Sequence, residues 1–479
     1  MRRYETRVLA GVLAGAMAVA MAGCGTSSST GSSAATTKAA GAAASTTTAA
    51  AAGSSTTKAA DANGKIQLTF WHSMSEANGQ AVQALVDDFN NSQDEIYVNA
   101  EYQGKYDDVK TKMSAALQSG KDQLPDIVQM YDIGTKYMVD SGLVVPVEDM
   151  FQTTGYDPNT IMGIVKSYYT VDGKQYSMPL NVSTPMLYYN KDAFKKAGLD
   201  PEKAPATWEE VKEDAKAIQE SGACRYGYAQ AIYGWFFEQE IATLGQDYGD
   251  NDNGRSANVT KVMWNENGAA KKIMDNWMDL INSGYAGNYG QTTGDTQTAF
   301  FAGQVGMIIE STAILKNAIN NSQFEIGTGY LPRFSDAPDD GGVIIGGASL
   351  WLMDTGNTDK EKAAWKFLEF TTKAEEQSKF SQGTGYFAIN EKSYELDDMK
   401  SYLAQYPGFE TAINQLKASP VNTHTAGVLS GVAAENRKTF QNYMEEVING
   451  SKTVDEAITA CEKECNDAIA KYNTSTAKK

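Results

Sequence analysis

The sequence predicts an α/β protein of two lobes, built on a mostly parallel, doubly wound sheet. Three observations lead there. From residue 65 onward, short apolar or alternating runs of strand length are separated by longer runs with helical spacing, the order that lays helices on the faces of a sheet. Roughly 410 of the 479 residues lie in this patterned body, more than one ordinary domain holds. A hydrophobic content of 42%, with 10% aromatic residues, can fill cores of that size.

"KIQLTFW" at residues 65–71 reads as the first strand, and residues 76–89 place Val82, Leu85, Val86 and Phe89 at helical spacing. "EIYVNAEY" alternates as a half-buried strand does. Residues 107–117 again read as a helix, and "DIVQMY" at residues 126–131 is the short apolar run of a buried strand. Ligands of such sheets gather beyond the carboxyl ends of strands, here at Trp71 and His72, residues 102–106, and Tyr131 with Asp132. "TPMLYYN" at residues 184–190 is an extended aromatic segment, followed by helices in "KDAFKKAGL" and "TWEEVKEDAKAIQESG". "GMIIE" at residues 306–310 is a strand, with a helix expected over residues 312–319. "VIIGGASLWLM" at residues 343–353 is another strand. It contains Gly346 and Gly347, and glycine inside a strand marks a bulge or a close backbone approach. The last third is helical, ending in a helix over residues 454–470.

Ahead of the body, Arg2, Arg3 and Arg7 precede an apolar run from residue 8 to about residue 22, too short for a comfortable membrane span. This is the pattern of a secretory signal. Met21-Ala22-Gly23-Cys24 resembles the lipobox of bacterial lipoproteins, in which the cysteine becomes the diacylated N-terminus; an ordinary signal peptide with an incidental cysteine is the plainer alternative. Residues 25–60 form a Ser/Thr/Ala tract with Lys38 and Lys58 as its only charges. It holds too little apolar surface to offset the entropy of ordering, so residues 24–64 are expected to form a flexible tether with a root-mean-square reach of roughly 30–40 Å. Several acyl chains acting together would anchor the protein stably to the outer face of the membrane.

The formal net charge of −18 argues against a nucleic-acid partner and means that an anionic ligand needs a local positive site. If Cys24 carries lipid, Cys224, Cys461 and Cys465 remain, an odd number, and no disulfide framework is expected. With only two histidines and no paired CxxC, neither a metal site nor a cofactor is expected. There is no GxSxG elbow, no phosphate-binding GxxxxGK[ST] loop, no GxGxxG after a strand and no HExxH helix. That lowers the odds of an enzyme without excluding one, because a glycosidase needs only two carboxylates.

At "FWHSM" (residues 70–74), "STPMLYYNKDAFKKAGLDP" (183–201), "TWEE" (207–210), "IIGGASLW" (344–351) and "GTGY" (383–386), the chain resembles the extracellular solute-binding proteins of ABC importers, and among them the glycerol-3-phosphate-binding branch. The resemblance runs from about residue 70 to residue 470. It implies a type II periplasmic-binding-protein fold, two discontinuous α/β lobes with an interlobe cleft. Lobe 1 would comprise residues 65–187 with 331–388, and lobe 2 residues 188–330 with 389–479, the crossings falling near Tyr188, Gly329 and Ile389. It further implies a monomer that captures a small polar solute, glycerol-3-phosphate or a glycerophosphodiester, and hands it to the transmembrane subunits of a permease. No catalytic residue is implied.

The same resemblance assigns the ligand contacts. Tyr106 in "GKYDD" matches a ligand-contacting tyrosine. Asp132 in "MYDIGT" stands where that branch has a glutamate bonding glycerol hydroxyls. Ser183, Ser311, the backbone of Gly347, Tyr386 and Arg437 match positions that hold the ligand, chiefly its phosphate. A guanidinium suits that task because its fork of donors fits phosphate oxygens. The start of the helix after Ser311 would add amide donors. The branch has "GWQGW" where this chain has "AIYGW" at residues 231–235, so one tryptophan becomes Ile232, Trp235 remains, and Tyr233 could turn in. That departure keeps two alternatives open: a sugar or oligosaccharide receptor, and an extracellular phosphodiesterase or glycosidase. Trp71, His72 and Trp208 are expected to be structural or at the rim.

Overall fold

Helices begin where the sequence offers a side chain to the first free amides. Thr207 Oγ1 accepts from the Glu210 amide and the Glu210 carboxylate accepts from the Thr207 and Ala206 amides, a reciprocal cap that starts the helix Trp208–Glu220. Its spacing then buries Trp208, Val211, Ala215 and Ile218 on one face. Asn190 Oδ1 likewise accepts from the Ala193 amide at 2.9 Å to start the helix Lys191–Ala197, which ends at Gly198 in the left-handed conformation. In the helix Glu76–Ser92 the four apolar residues singled out by spacing are the ones buried.

These features belong to a computed structural model that describes residues 64–476. The signal segment, Cys24 and all but the last residue of the expected tether lie outside the described residues. Among the described residues no helix is long and apolar enough to cross a membrane.

The strands, in chain order, are β1 (Ile66–His72), β2 (Ile96–Tyr102), β3 (Ile127–Tyr131), β4 (Val144–Val145), β5 (Thr170–Val171), β6 (Lys174–Gln175), β7 (Met178–Ser183), β8 (Pro185–Asn190), β9 (Tyr226–Gln230), β10 (Ala286–Asn288), β11 (Val305–Ser311), β12 (Ile326–Gly329) and β13 (Gly346–Met353). The first sheet has the order β2-β1-β3-β13-β4, with β7 also paired to β13; the second has the order β10-β9-β11-β8-β12. One sheet forms the centre of each lobe. Both are mixed, where a mostly parallel sheet was expected: β1 runs parallel to β2 and β3, but β13 runs against β3, β4 and β7, and β8 runs against β11 and β12. The antiparallel strands are those that arrive directly from the other lobe. No crossover helix turns them round.

The chain passes between the sheets at Thr184, the single residue separating β7 from β8. Thr184 is tied there, its carbonyl accepting from the Thr312 amide at 2.8 Å. A second passage lies between Gly329 and Gly346. A third follows Asn390, which still pairs with Ile161 beside the first sheet, and is complete by the helix Gly408–Ala418, where Thr411 meets Thr328 of β12. The first passage thus falls four residues before Tyr188. Every side chain of β7 and β8 is buried, so no change of pattern marks where one pairing partner gives way to the next.

Gly347 shows why β13 carries glycine. Its φ is +102°, the β7–β13 register shifts just after it, and a Cβ there would lie 1.8 Å from the carbonyl oxygen of Asn181. The close approach brings Ser183, at the end of β7, opposite Gly346.

One buried acid in the second lobe makes stability depend on pH. Glu240, in the helix Gly234–Thr243, is 2% exposed, and burial pushes its carboxyl up to about 8, with the nearby Gln230 side chain a weaker opposing influence. The folded state therefore holds a proton that the unfolded chain releases near pH 4.3. The stabilisation is complete below that value and is lost as pH rises to about 8, a change on the order of 2–5 kcal/mol. Urea unfolding across this range should show that decline, and Glu240→Gln should flatten it; an unchanged slope in the variant would refute the assignment.

Candidate functional site

Both sheets end at a common cavity of about 510 Å³. The first lobe contributes Tyr106 from the start of the helix Tyr106–Ser119, Tyr131 and Asp132 from the end of β3, Ser183 from β7 and Gly347 from β13. The second contributes Tyr233 and Trp235 after β9, Glu310 and Ser311 from β11, and Arg437 from the helix Ala433–Ile448; Tyr386 comes from the loop after the helix Ala374–Thr384. All eight residues singled out in the sequence line this one cavity.

Its centre is a buried charge cluster. Arg437 donates from Nε to Glu238 Oε1 at 2.7 Å, from Nη2 to Glu238 Oε2 at 2.6 Å and from Nη2 to Asp132 Oδ2 at 3.1 Å. Arg437, Asp132 and Glu238 are only 7%, 5% and 5% exposed. Arg437 Nη1 is left without a hydrogen-bonding partner among the described residues. Burial alone would lower the guanidinium, but the Glu238 and Asp132 carboxylates outweigh it and hold the group above its ordinary value. Burial holds the Glu238 carboxyl above its ordinary value, and its two guanidinium contacts oppose that rise. Asp132 leaves the first sheet and Arg437 belongs to the second lobe, so this ion pair spans the two.

Local sequence explains the geometry. A Cβ on Gly234 would lie 2.8 Å from Arg437 Cα, so only glycine lets the helix Gly234–Thr243 start against the helix Ala433–Ile448. The Gly234 amide also donates to Gln441 Oε1 at 3.2 Å. Glu238, one turn on, then comes within reach of Arg437.

Around the charges stand hydroxyls and rings. Tyr106 stacks on Tyr131 at 5.3 Å and accepts from Asn181 Nδ2 at 2.9 Å. Asn181 is held in turn by Gln129, whose Oε1 accepts from Ser73. This relay fixes the Tyr106 ring from beneath. Trp235 has a buried Nε1 with no partner among the described residues, and its ring lies 6.4 Å from that of Tyr233. Glu310 accepts from Gln297 at 2.9 Å and from the Ser311 amide at 2.7 Å; burial raises its carboxyl and these bonds oppose the rise.

Some expected features lie elsewhere or differ. Ile232 is fully buried away from the cavity, and Tyr233 occupies the lining. The helix expected after Ser311 is present, as a 3-10 turn over Thr312–Ile314 that continues into the helix Leu315–Asn321, but its first free amide, that of Ala313, donates to Ser311 Oγ itself and is not left for a ligand. Trp71, His72 and Trp208 do not line the cavity. Cys461 and Cys465 are buried thiols with sulfurs 4.0 Å apart. No group of three or more histidines, cysteines or acids among the described residues is arranged to hold a metal. A larger hollow of about 800 Å³ adjoins the cavity at Ser311 and Tyr386, beside the helix Glu76–Ser92. It has no buried cation among its described lining residues: Lys379 is exposed, and pairs with Asp88 and with the buried Glu376. The site is therefore centred on the buried cluster.

The chain belongs to the bacterial extracellular solute-binding protein family, whose model matches residues 84–411. It is the substrate-binding component of an ABC importer and not an enzyme. Among its relatives is the sn-glycerol-3-phosphate-binding periplasmic protein UgpB of Yersinia enterocolitica, 34% identical over 407 residues that cover 84% of this chain and 91% of the relative. The protein of the same name from Escherichia coli K12 is 31% identical over 422 residues, covering 87% and 95%. Among solved structures, UgpB from Mycobacterium tuberculosis in complex with glycerophosphocholine superposes with a TM-score of 0.71 at 25% identity, covering 85% of this chain and 99% of that one. The cyclic α-maltosyl-1,6-maltose binding protein of Arthrobacter globiformis shares the fold, with a TM-score of 0.70 at 24% identity and coverage of 85% and 99%.

Removing the central cation tests the cluster. Arg437→Met should strand Asp132 and Glu238 without a counter-charge and destabilise the protein by about 3–5 kcal/mol in urea unfolding, with part recovered by adding Glu238→Leu. A loss below about 1 kcal/mol would show that the buried pair does not hold the lobes' facing surfaces as described.

Proposed function

We propose that the importer takes up glycerol-3-phosphate or a glycerophosphodiester, held in the Arg437 cavity. The observation that carries this reading is the free Nη1 of a buried guanidinium in a cavity also lined by Ser183, Ser311, Tyr386 and the backbone of Gly347. Ser183 Oγ makes no hydrogen bond among the described residues and is available to a phosphate oxygen. Asp132 and Glu310 are acceptors suited to glycerol hydroxyls, and Trp235 and Tyr233 offer apolar faces to its carbons. The names of the relatives agree with this ligand class. A ligand bonded to groups of both lobes favours the closed arrangement by its differential affinity.

A neutral sugar is the second reading. The carboxyl groups of Asp107, Asp132 and Glu310 in the lining, with Glu238 bonded to the one buried guanidinium, favour it, since hydroxyl-rich ligands use such acceptors without bringing charge of their own. Calorimetric titration with glycerol-3-phosphate, glycerophosphocholine, glycerol and maltose separates the two. At least one phosphorylated ligand should bind, and glycerol should bind far more weakly. Binding heat from the sugar alone would overturn the phosphate reading.

The protein is further proposed to act as a monomer tethered to the outer membrane face through lipid on Cys24. Support comes from Met21-Ala22-Gly23-Cys24 and the Ser/Thr/Ala tract after it. Cys24→Ala should abolish acyl labelling and release the protein or leave it uncleaved; equal membrane retention without acyl label in both forms would refute the anchor.

A further inference from the structure

The buried charge in the cavity is unbalanced. Arg437 is the one buried cation among its described lining residues, because Lys105 stands exposed at the rim. Against it stand Glu238 and Asp132, both bonded to the guanidinium, and Glu310, which also lines the cavity. Glu238 takes the Nε hydrogen and one Nη2 hydrogen as a two-point pair, and Asp132 takes the other Nη2 hydrogen. A ligand phosphate therefore meets a single nitrogen, Nη1, and cannot form a fork with Arg437. It also meets a cation whose charge is already matched. A phosphate monoester carries about −1.5 to −2 near pH 7, whereas a diester carries one negative charge. The second charge of the monoester would face Asp132, Glu238 and Glu310 with no second buried cation among the described lining residues to meet it, and like charges brought together in a desolvated site work against binding.

We propose that Glu238 is a specificity-determining residue that tunes this site to monoanionic glycerophosphodiesters and against the dianionic glycerol phosphate monoester. The inference rests on the phosphate reading of the cavity and narrows it. Glu238 acts through Arg437, by occupying the guanidinium edge and cancelling its charge.

The test compares glycerol-3-phosphate with its methyl ester, which adds one methyl group and removes one charge. Titrated into the wild-type protein near pH 7.5, the methyl ester should bind roughly tenfold or more tightly than the monoester. In Glu238→Gln the monoester should gain and the ratio should shrink by a similar factor, while circular dichroism reports an intact fold. Should that variant not fold, Glu238→Asp, which withdraws the carboxylate from the guanidinium, must also shrink the ratio. Equal binding of the two ligands by the wild type, or a ratio unchanged in the folded variant, overturns the inference and leaves the phosphate reading standing. If neither phosphorylated ligand binds wild type or variant while maltose does, the phosphate reading itself has failed.

Discussion

The structure turns on one buried guanidinium. Arg437 cannot sit at 7% exposure without counter-charge, and it receives it from both sides, from Glu238 of its own lobe and from Asp132 of the other. Breaking one partner of such a cluster costs far more than forming it contributes, because the orphaned charge stays buried. Its value therefore lies in geometry. It joins the facing surfaces of the two lobes and leaves Nη1 without a protein partner among the described residues.

Much of the surrounding architecture serves that placement. The glycine at 234 lets two helices touch closely enough for Glu238 to reach Arg437. The glycine at 347 lets β7 and β13 approach so that Ser183 and the Gly347 backbone reach the cavity. The relay from Ser73 through Gln129 and Asn181 to Tyr106 holds the aromatic wall of the first lobe. Function is thus distributed over strand ends and helix starts that lie far apart in the chain. A binding protein that must close around its solute needs that arrangement, since contacts drawn from both lobes convert binding into closure.

The sequence showed some of this plainly and some not at all. β1, β2 and β3 and the helices between them were legible because apolar residues at spacings of two and of three to four have no other economical reading. The cavity residues came from motif resemblance, and the chain brings all eight together. Strand direction was not legible, because a buried strand reads the same whether its neighbour runs with it or against it, and Thr184 is hidden for that reason between two fully buried strands. Glu238 was missed because every residue of the helix Gly234–Thr243 is buried, so no periodicity sets its functional face apart. The available signal was chemical: a carboxyl group inside so apolar a run needs a proton, a hydrogen-bond donor or a cation, and Arg437 is a cation that could serve Glu238. Glu310, at the end of an apolar strand, carried the same signal.

The central claim is that Arg437 meets the solute through Nη1 while Glu238 keeps its two-point hold. A crystal structure of the protein with its co-purified or titrated solute tests this most directly. The account predicts a ligand oxygen within hydrogen-bond distance of Arg437 Nη1, with Glu238 still bonded to Nε and Nη2 and with ligand contacts from both sheets. A ligand seated in the adjoining hollow by the helix Glu76–Ser92, with Arg437 touching only its two carboxylates, would contradict it.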